Sequence, residues 1–379
     1  VKRKKLDEYK NNFASFAEEQ IKIITKDASQ GFVPFELNAC QKIITEKLNE
    51  QLKETGKVRA IILKARQQGI STYCAGRVFW KSYFTPYARS VVMAHDSATS
   101  DALFALSKNL IKQLDGDLAP KEIRSNAKEI IINSPAMPDK DATSSYRLYT
   151  AGSPEAGRGT TPTIAHLSEI AFWGHDEKIL AGLFQGISQA LGTEVILEST
   201  ANGAQGEFYR LWKGACNGEN EYVPIFLPWY ITDEYRRTAP EAMELTIEEE
   251  ALVEKYGLDN DQLYWRRLKI AEGGELKFKQ EYPATADEAF IVSGSNVFNV
   301  ERLDELLPKP HKRRSEWDPH SKMLDEHREG NLYIYDYPQW QEPYVIGADV
   351  CLGVGQDYSA CVVMNKQQEV VATYRNNRI

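Results

Sequence analysis

Nine residues, Lys64-Ala-Arg-Gln-Gln-Gly-Ile-Ser-Thr72, have the types and the placement to hold phosphate. They continue a β-branched run, Val58 to Ala65, and lead into a helical pattern over 72 to 84. A strand, a glycine-bearing turn and a helix N-terminus together present backbone N–H groups to an anion. Against the phosphate-loop pattern G-x-x-x-x-G-K-S/T, Gly69 and Ser71 fit, whereas Lys64 stands at the first glycine and Ile70 where the lysine belongs. Arg66 is the chemical substitute, because a guanidinium is permanently charged and its planar fork suits phosphate oxygens; Lys64 is the second candidate. Ser71 would offer its hydroxyl to Mg²⁺, with Thr72 behind it, while Gln67, Gln68, Gly69 and Ile70 complete the loop around the phosphates.

Downstream, Thr163-Ile-Ala-His-Leu-Ser-Glu169 is an apolar strand ending in one carboxylate, where a nucleotide hydrolase places the base that orients water. An aspartate normally precedes that base to hold Mg²⁺, and here Ser168 takes its place. Either the Ser168 hydroxyl holds the metal through water, or the metal depends more on Ser71. His166 reads as a packing or hydrogen-bonding residue of the sheet. The next strand, Val195-Ile-Leu-Glu-Ser-Thr200, runs into Ala201-Asn-Gly203, so Ser199, Thr200 and Asn202 could sense a γ-phosphate and pass its loss onward. Arg158 lies between Gly157 and Gly159, which suits an arginine that reaches a neighbouring subunit's nucleotide.

Positioning these groups takes a sheet. Short β-branched runs at 58–65, 90–95, 129–133, 146–150, 163–169, 194–200 and 223–227 alternate with helical patterns, which predicts an α/β domain with a mostly parallel sheet flanked by helices. The runs at 129–133 and 146–150 are too close for a crossover helix, so they form a hairpin at the sheet edge. From 231 to about 300 the pattern is a small helical subdomain, opening on Thr246-Ile-Glu-Glu249 as a capping box and broken at Gly257 and Gly273-Gly274. The Pro- and charge-rich stretch 301–343, which holds one strand-like run, Leu332 to Tyr335, reads as a linker. Strand patterns at 344–348 and 360–364 then begin a second domain, too short to bury a core alone, so a fragment of a longer protein is expected.

Length and charge set the frame. The chain has 379 residues, 42% hydrophobic and 26% charged, values of an ordinary globular protein. Its net charge of -8 excludes a protein that coats DNA over its whole surface, so nucleic-acid contact must be local. Two basic clusters, Lys2 to Lys5 and Lys309 to Arg314, read as a solvated tail and a solvated linker. Five cysteines without a CxxC pair fit reduced thiols, with no zinc and no disulfide expected. No apolar run is long enough to span a bilayer and the start carries no signal peptide, so we expect an intracellular protein without membrane contact.

With its motifs in order, the chain resembles the large subunit of the viral terminases, the DNA-packaging ATPases and nucleases of tailed bacteriophages. The resemblance rests on Lys64 to Thr72 as a deviant Walker A motif, His166-Leu-Ser-Glu169 as Walker B, Glu198-Ser-Thr-Ala-Asn-Gly203 as the coupling motif and Glu281 to Phe290 as the segment closing the ATPase region. It implies a P-loop ATPase core over 1–230, a helical lid over 231–300 and, over 344–379, the incomplete start of a ribonuclease-H-like nuclease. It also implies that Arg66 contacts the β- and γ-phosphates, Ser71 assists Mg²⁺, Glu169 activates water, Thr200 and Asn202 couple hydrolysis to movement, and Arg158 is the arginine finger. Phe35 and Gln41 resemble the adenine-recognising segment, with core packing of Phe35 the other reading.

In the nuclease, Asp349 and the weaker candidate Asp357 would bind two divalent metals, Mg²⁺ or Mn²⁺, completed by carboxylates beyond Ile379. The implied partners are double-stranded DNA, the terminase small subunit and the portal of a procapsid, with the subunits forming a ring there, and the implied place is the host cytoplasm. Two alternatives stand beside this: another DNA-directed P-loop ATPase, of helicase or repair type, and a catalytically silent assembly protein.

Overall fold

A computed structural model describes residues 3–25, 29, 31–152, 159–290, 310–318, 323–326, 330–350 and 358–376. Arg158 and Asp357 lie outside the described residues. The chain divides into two compact units, Val1–Ser295 and Asn296–Ile379.

The first unit opens with helices α1 (Arg3–Asn11) and α2 (Phe13–Gln20) and a small antiparallel pair, β1 (Lys22–Ile24) and β2 (Phe32–Pro34). Its sheet is built from β3 (Val58–Lys64), β4 (Arg89–Ala94), β5 (Lys121–Ser125), β6 (Glu129–Asn133), β7 (Ser144–Thr150), β8 (Ile164–Ser168), β9 (Glu194–Ser199) and β10 (Val223–Leu227). The order across the sheet is β10-β3-β9-β8-β4-β7-β6-β5, parallel from β10 to β7 and antiparallel through the last two pairings. Every residue of β3, β8 and β9 is buried, as expected of parallel strands covered on both faces. Helices α3 (Ala39–Thr55), α4 (Ile70–Phe84), α5 (Ser97–Gln113), α6 (Asp176–Gly186) and α7 (Gly206–Cys216) alternate with the strands. The expected parallel α/β sheet is thus present. The predicted hairpin is β6 with β7, but the sheet edge is β5, whose five residues are all exposed and carry no apolar alternation to announce them.

One face of the sheet packs on α4, α2 and α3 through an aromatic core in which Phe16 meets Tyr83 and Phe84, and Phe13 meets Tyr73 and Trp80. The other face packs on α6 and α7 through Leu180, Leu183, Phe208 and Trp212. A third cluster lies in the helical part, α8 (Ile247–Tyr256), α9 (Asn260–Gly273), α10 (Glu275–Glu281) and α11 (Ala286–Phe290), around Trp229, Trp265 and Phe278. The capping box at Thr246 and Glu249 forms as predicted, and Gly257, at φ 68°, ends α8 in the left-handed conformation that glycine adopts without a Cβ penalty.

The second unit is a six-stranded antiparallel sheet of β11 (Arg313–Asp318), β12 (Met323–Glu326), β13 (Leu332–Ile334), β14 (Val345–Asp349), β15 (Ser359–Met364) and β16 (Val370–Asn376). Its order is β12-β11-β13-β16-β15-β14. The expected linker over 301–343 is therefore corrected: part of it forms β11, β12 and β13 of this same sheet, with Ser315 paired to both Leu332 and Glu326. Its prolines and charges hid β11 and β12, while β13 falls on the apolar run Leu332 to Tyr335.

Candidate active site

The turn between β3 and α4 is shaped by two left-handed residues, Gln67 at φ 58° and Gly69 at φ 75°. Gln68 fastens it from inside. Its buried amide accepts from the Ala65 N–H at 3.0 Å and donates to the Pro228 carbonyl at 3.0 Å and to Thr232 at 3.1 Å. Asn38, the N-cap of α3, donates to the Gln68 carbonyl at 3.1 Å, and Gln41 in its first turn donates to the Gly69 carbonyl at 2.8 Å. The adenine reading of Phe35 and Gln41 is therefore not supported. Phe35 is 1% exposed and packs edge-on against Phe13, while Gln41 spends both ends of its amide on the loop and on the α3 capping box. Ile70 is likewise buried in the core, and Thr72 is half-buried one residue beyond Ser71.

At the C-terminal ends of β3, β8 and β9 lies a cavity of about 340 Å³, within the usual size of a small-ligand site. Arg66, Ser71, Ser168, Glu169 and Thr200 line it, so five residues singled out in the sequence from three separate stretches meet at one place. His95 and Phe172 also line it and were not anticipated, since a histidine after β4 and an aromatic after Glu169 carry no spacing signal.

Glu169 follows β8 in a left-handed conformation, φ 54° and ψ 45°, an arrangement uncommon for a side chain with a Cβ and one that turns the chain sharply at the strand end. One carboxylate oxygen, Oε1, accepts from Lys64 Nζ at 2.7 Å. The other accepts from the Thr200 N–H at 3.3 Å and Ser199 Oγ at 3.4 Å. Asn202 donates to the Ala171 carbonyl at 3.0 Å, tying the same two loops together.

Behind Glu169 lies a second carboxylate. Glu198 on β9 is fully buried, with Ser71 Oγ donating to its Oε1 at 3.0 Å, His166 Nε2 at 3.1 Å from the same oxygen and Lys64 Nζ at 3.3 Å from Oε2. Burial pushes the Glu198 carboxyl up, but the Lys64 charge and the His166 hydrogen bond outweigh burial and hold it well below the usual carboxylate range. Burial likewise works against the Lys64 ammonium, and Glu198 and Glu169 together raise it above its ordinary value. An ionised Glu198 can only accept, so His166 carries its proton on Nε2.

The two candidates for the missing lysine take different positions. Lys64 is buried behind the carboxylates, whereas Arg66 is 56% exposed at the mouth of the cavity and held by Glu281 at 3.4 Å. Among the described residues no three His, Cys, Asp or Glu side chains gather for a metal ion. A nucleotide-bound Mg²⁺ needs fewer, because phosphates and water fill most of its octahedral shell. The buried Ser168 hydroxyl lies beside Glu198 and helps hold its carboxyl down, so the polar groups present fit a hydrated cation. In the second unit, Asp349 ends β14 exposed to solvent.

No protein-family model matches the chain, and no curated protein matches its sequence. Among solved structures it is similar to the large terminase of bacteriophage HK97, at 14% identity over 97% of this chain and 67% of that one, with a TM-score of 0.51. The ATPase domain of the large terminase of Thermus phage P74-26 aligns at 15% identity over 66% of this chain and 94% of that domain, with a TM-score of 0.45. The large terminase of a thermophilic bacteriophage, in complex with ADP, aligns at 11% identity over 87% of this chain and 65% of that one, also at 0.45. Only the first of these is close enough to weigh. It extends over nearly all of this chain, its identity is low enough that the likeness is one of fold, and the chain has the fold of the bacteriophage large terminases.

Proposed function

We propose that this chain is an ATP-hydrolysing motor that drives double-stranded viral DNA into a procapsid. One observation supports this above others: the two oxygens of Glu169 are divided between Lys64 at the end of the phosphate-loop strand and Thr200 and Ser199 of the coupling motif. A carboxylate held in this way connects the place where a γ-phosphate is cut to the loop that must feel its loss.

In this reading Arg66 meets the β- and γ-phosphates at the cavity mouth, Ser71 faces the Mg²⁺ and Glu169 orients the attacking water. Mg²⁺, when bound, neutralises charge on the phosphate oxygens. Thr200 and Asn202 transmit the change in what Glu169 holds, and Arg158 reaches a neighbouring subunit's nucleotide. Transport must tolerate any DNA sequence, so the contacts are to phosphates and weaken with salt. The partners are the small subunit and the portal, on which the subunits form a ring in the host cytoplasm. The second unit belongs to a metal-dependent nuclease that cuts concatemeric DNA in a longer protein, with Asp349 and Asp357 among its Mg²⁺ or Mn²⁺ ligands.

The test is Glu169→Gln, which keeps shape and removes the base. ATP hydrolysis is expected to fall by roughly 10²-fold or more while nucleotide still binds, and packaging of linear DNA into procapsids by the full-length protein is expected to stop. Unchanged turnover would refute the assignment of the base, and turnover without packaging by the unaltered protein would favour another DNA-directed ATPase.

A further inference from the structure

Position 168, which a P-loop ATPase reserves for a metal-holding aspartate, is a serine here, and parallel pairing sets Ser168 directly beside Glu198 on β9. Register partners in a sheet project to the same face. That face carries α4, whose Ser71 hydroxyl already lies 3.0 Å from Glu198 Oε1. A carboxylate lost from one strand is thus replaced by a longer one from the strand alongside, and it reaches the same hydroxyl. We infer that Glu198 is the carboxylate that holds the Mg²⁺ of the nucleotide, together with Ser71.

The surroundings support this. A fully buried carboxylate is expensive unless paired, and structural burial would favour pairing both of its oxygens. Glu198 meets this with Lys64 at 3.3 Å from Oε2, a cation that Glu169 shares, and the buried Ser168 hydroxyl lies alongside. Lys64 carries one positive charge against the two carboxylates of Glu198 and Glu169, while Arg66 and Glu281 in the cavity lining offset one another. The groups in and directly behind the cavity therefore keep about one net negative charge, which favours a metal–nucleotide complex over bare nucleotide. The role differs from that of Glu169, which lies at the cavity surface and orients water, and it rests on the nucleotide reading above.

The experiment measures Mn²⁺ binding by electron paramagnetic resonance, and binding of a fluorescent ATP analogue with Mg²⁺ and in EDTA, for the unaltered chain, Glu198→Gln, Glu198→Asp and the double variant Glu198→Gln/Ser168→Asp. Glu198→Gln is expected to weaken nucleotide-dependent Mn²⁺ binding about 10–100-fold, while nucleotide binding in EDTA stays equal or tightens because a negative charge is gone. The double variant is expected to recover most of the Mn²⁺ affinity. Glu198→Asp keeps the charge facing Lys64 but withdraws it from Ser71, so it tests the same point if Glu198→Gln does not fold. Mn²⁺ affinity unchanged in Glu198→Asp, or unchanged in a folded Glu198→Gln, overturns the inference. Failure of the unaltered chain to bind the ATP analogue under any condition overturns the nucleotide reading instead.

Discussion

Lys64→Met removes the one cation that faces both site carboxylates while nearly conserving volume. At an effective dielectric of about 20, ion pairs at the observed 2.7 and 3.3 Å are worth about 6 and 5 kcal/mol in gross attraction. The Glu169 share is screened, since that side chain is 21% exposed, and the cost of burying the ammonium offsets much of the rest. A net loss of about 3–5 kcal/mol at pH 7.5 follows, the cost of stranding Glu198 in the core. The pH profile distinguishes this cause from lost packing. In the unaltered protein the Glu198 carboxyl is depressed, so its contribution is present above the ordinary carboxylate value and is lost only as pH falls through its lower folded value. Without Lys64 the group must fold protonated, so the penalty grows by about 1.4 kcal/mol per pH unit above pH ~5. Denaturant unfolding followed by tryptophan fluorescence at pH 5, 6 and 7.5 reads the slope, and Lys64→Met/Glu198→Gln is expected to recover most of the loss. Parallel profiles for Lys64→Met and the unaltered protein would refute the argument.

Two further outcomes can be checked. Arg66→Ala breaks only an exposed ion pair, so stability should stay within about 0.5 kcal/mol while ATP hydrolysis nearly disappears; substantial residual turnover would return the phosphate role to Lys64. In the helical part, the Arg267 hydrogen bonds hold the Glu249 carboxyl down at about 2. That stability is present above the ordinary glutamate value and is lost as pH falls through about 2, so Arg267→Met should shift acid unfolding toward higher pH, as read by circular dichroism.

Much of the site was legible because its chemistry lies at strand ends. Apolar runs ending in Glu169 and Thr200, with Ser71 behind a glycine turn, declare themselves through periodicity and a change of residue class. Glu198 did not, because its partners come from register: nothing in the chain order says that it lies beside Ser168 and faces Ser71. The order of Arg66 before Lys64 in the loop chemistry also left open which one burial would remove from solvent. Gln41 misled through its type. An amide able to read adenine is equally able to cap α3 and hold the Gly69 carbonyl, and local hydrogen bonds claimed it. Strands β5, β11 and β12 were missed where charged residues and neighbouring prolines erase a two-residue alternation, whereas β13 falls on the run Leu332 to Tyr335.

Strand β9 carries a buried carboxylate near each end, and α4 grips both. Ser71 in its first turn donates to Glu198, while Arg77 at 2.8 Å and Lys81 at 2.9 Å hold Glu194. The grips are unequal: a hydrogen bond to a charged group is worth about 1.5–3 kcal/mol, whereas breaking a buried ion pair costs about 3–5 kcal/mol. The Ser71 end of the helix is therefore the more weakly held of the two. At the far end of the helix the Phe84 ring lies 5.4 Å from that of Phe16. One helix thus joins the phosphate loop at its first turn to the N-terminal helices at its last.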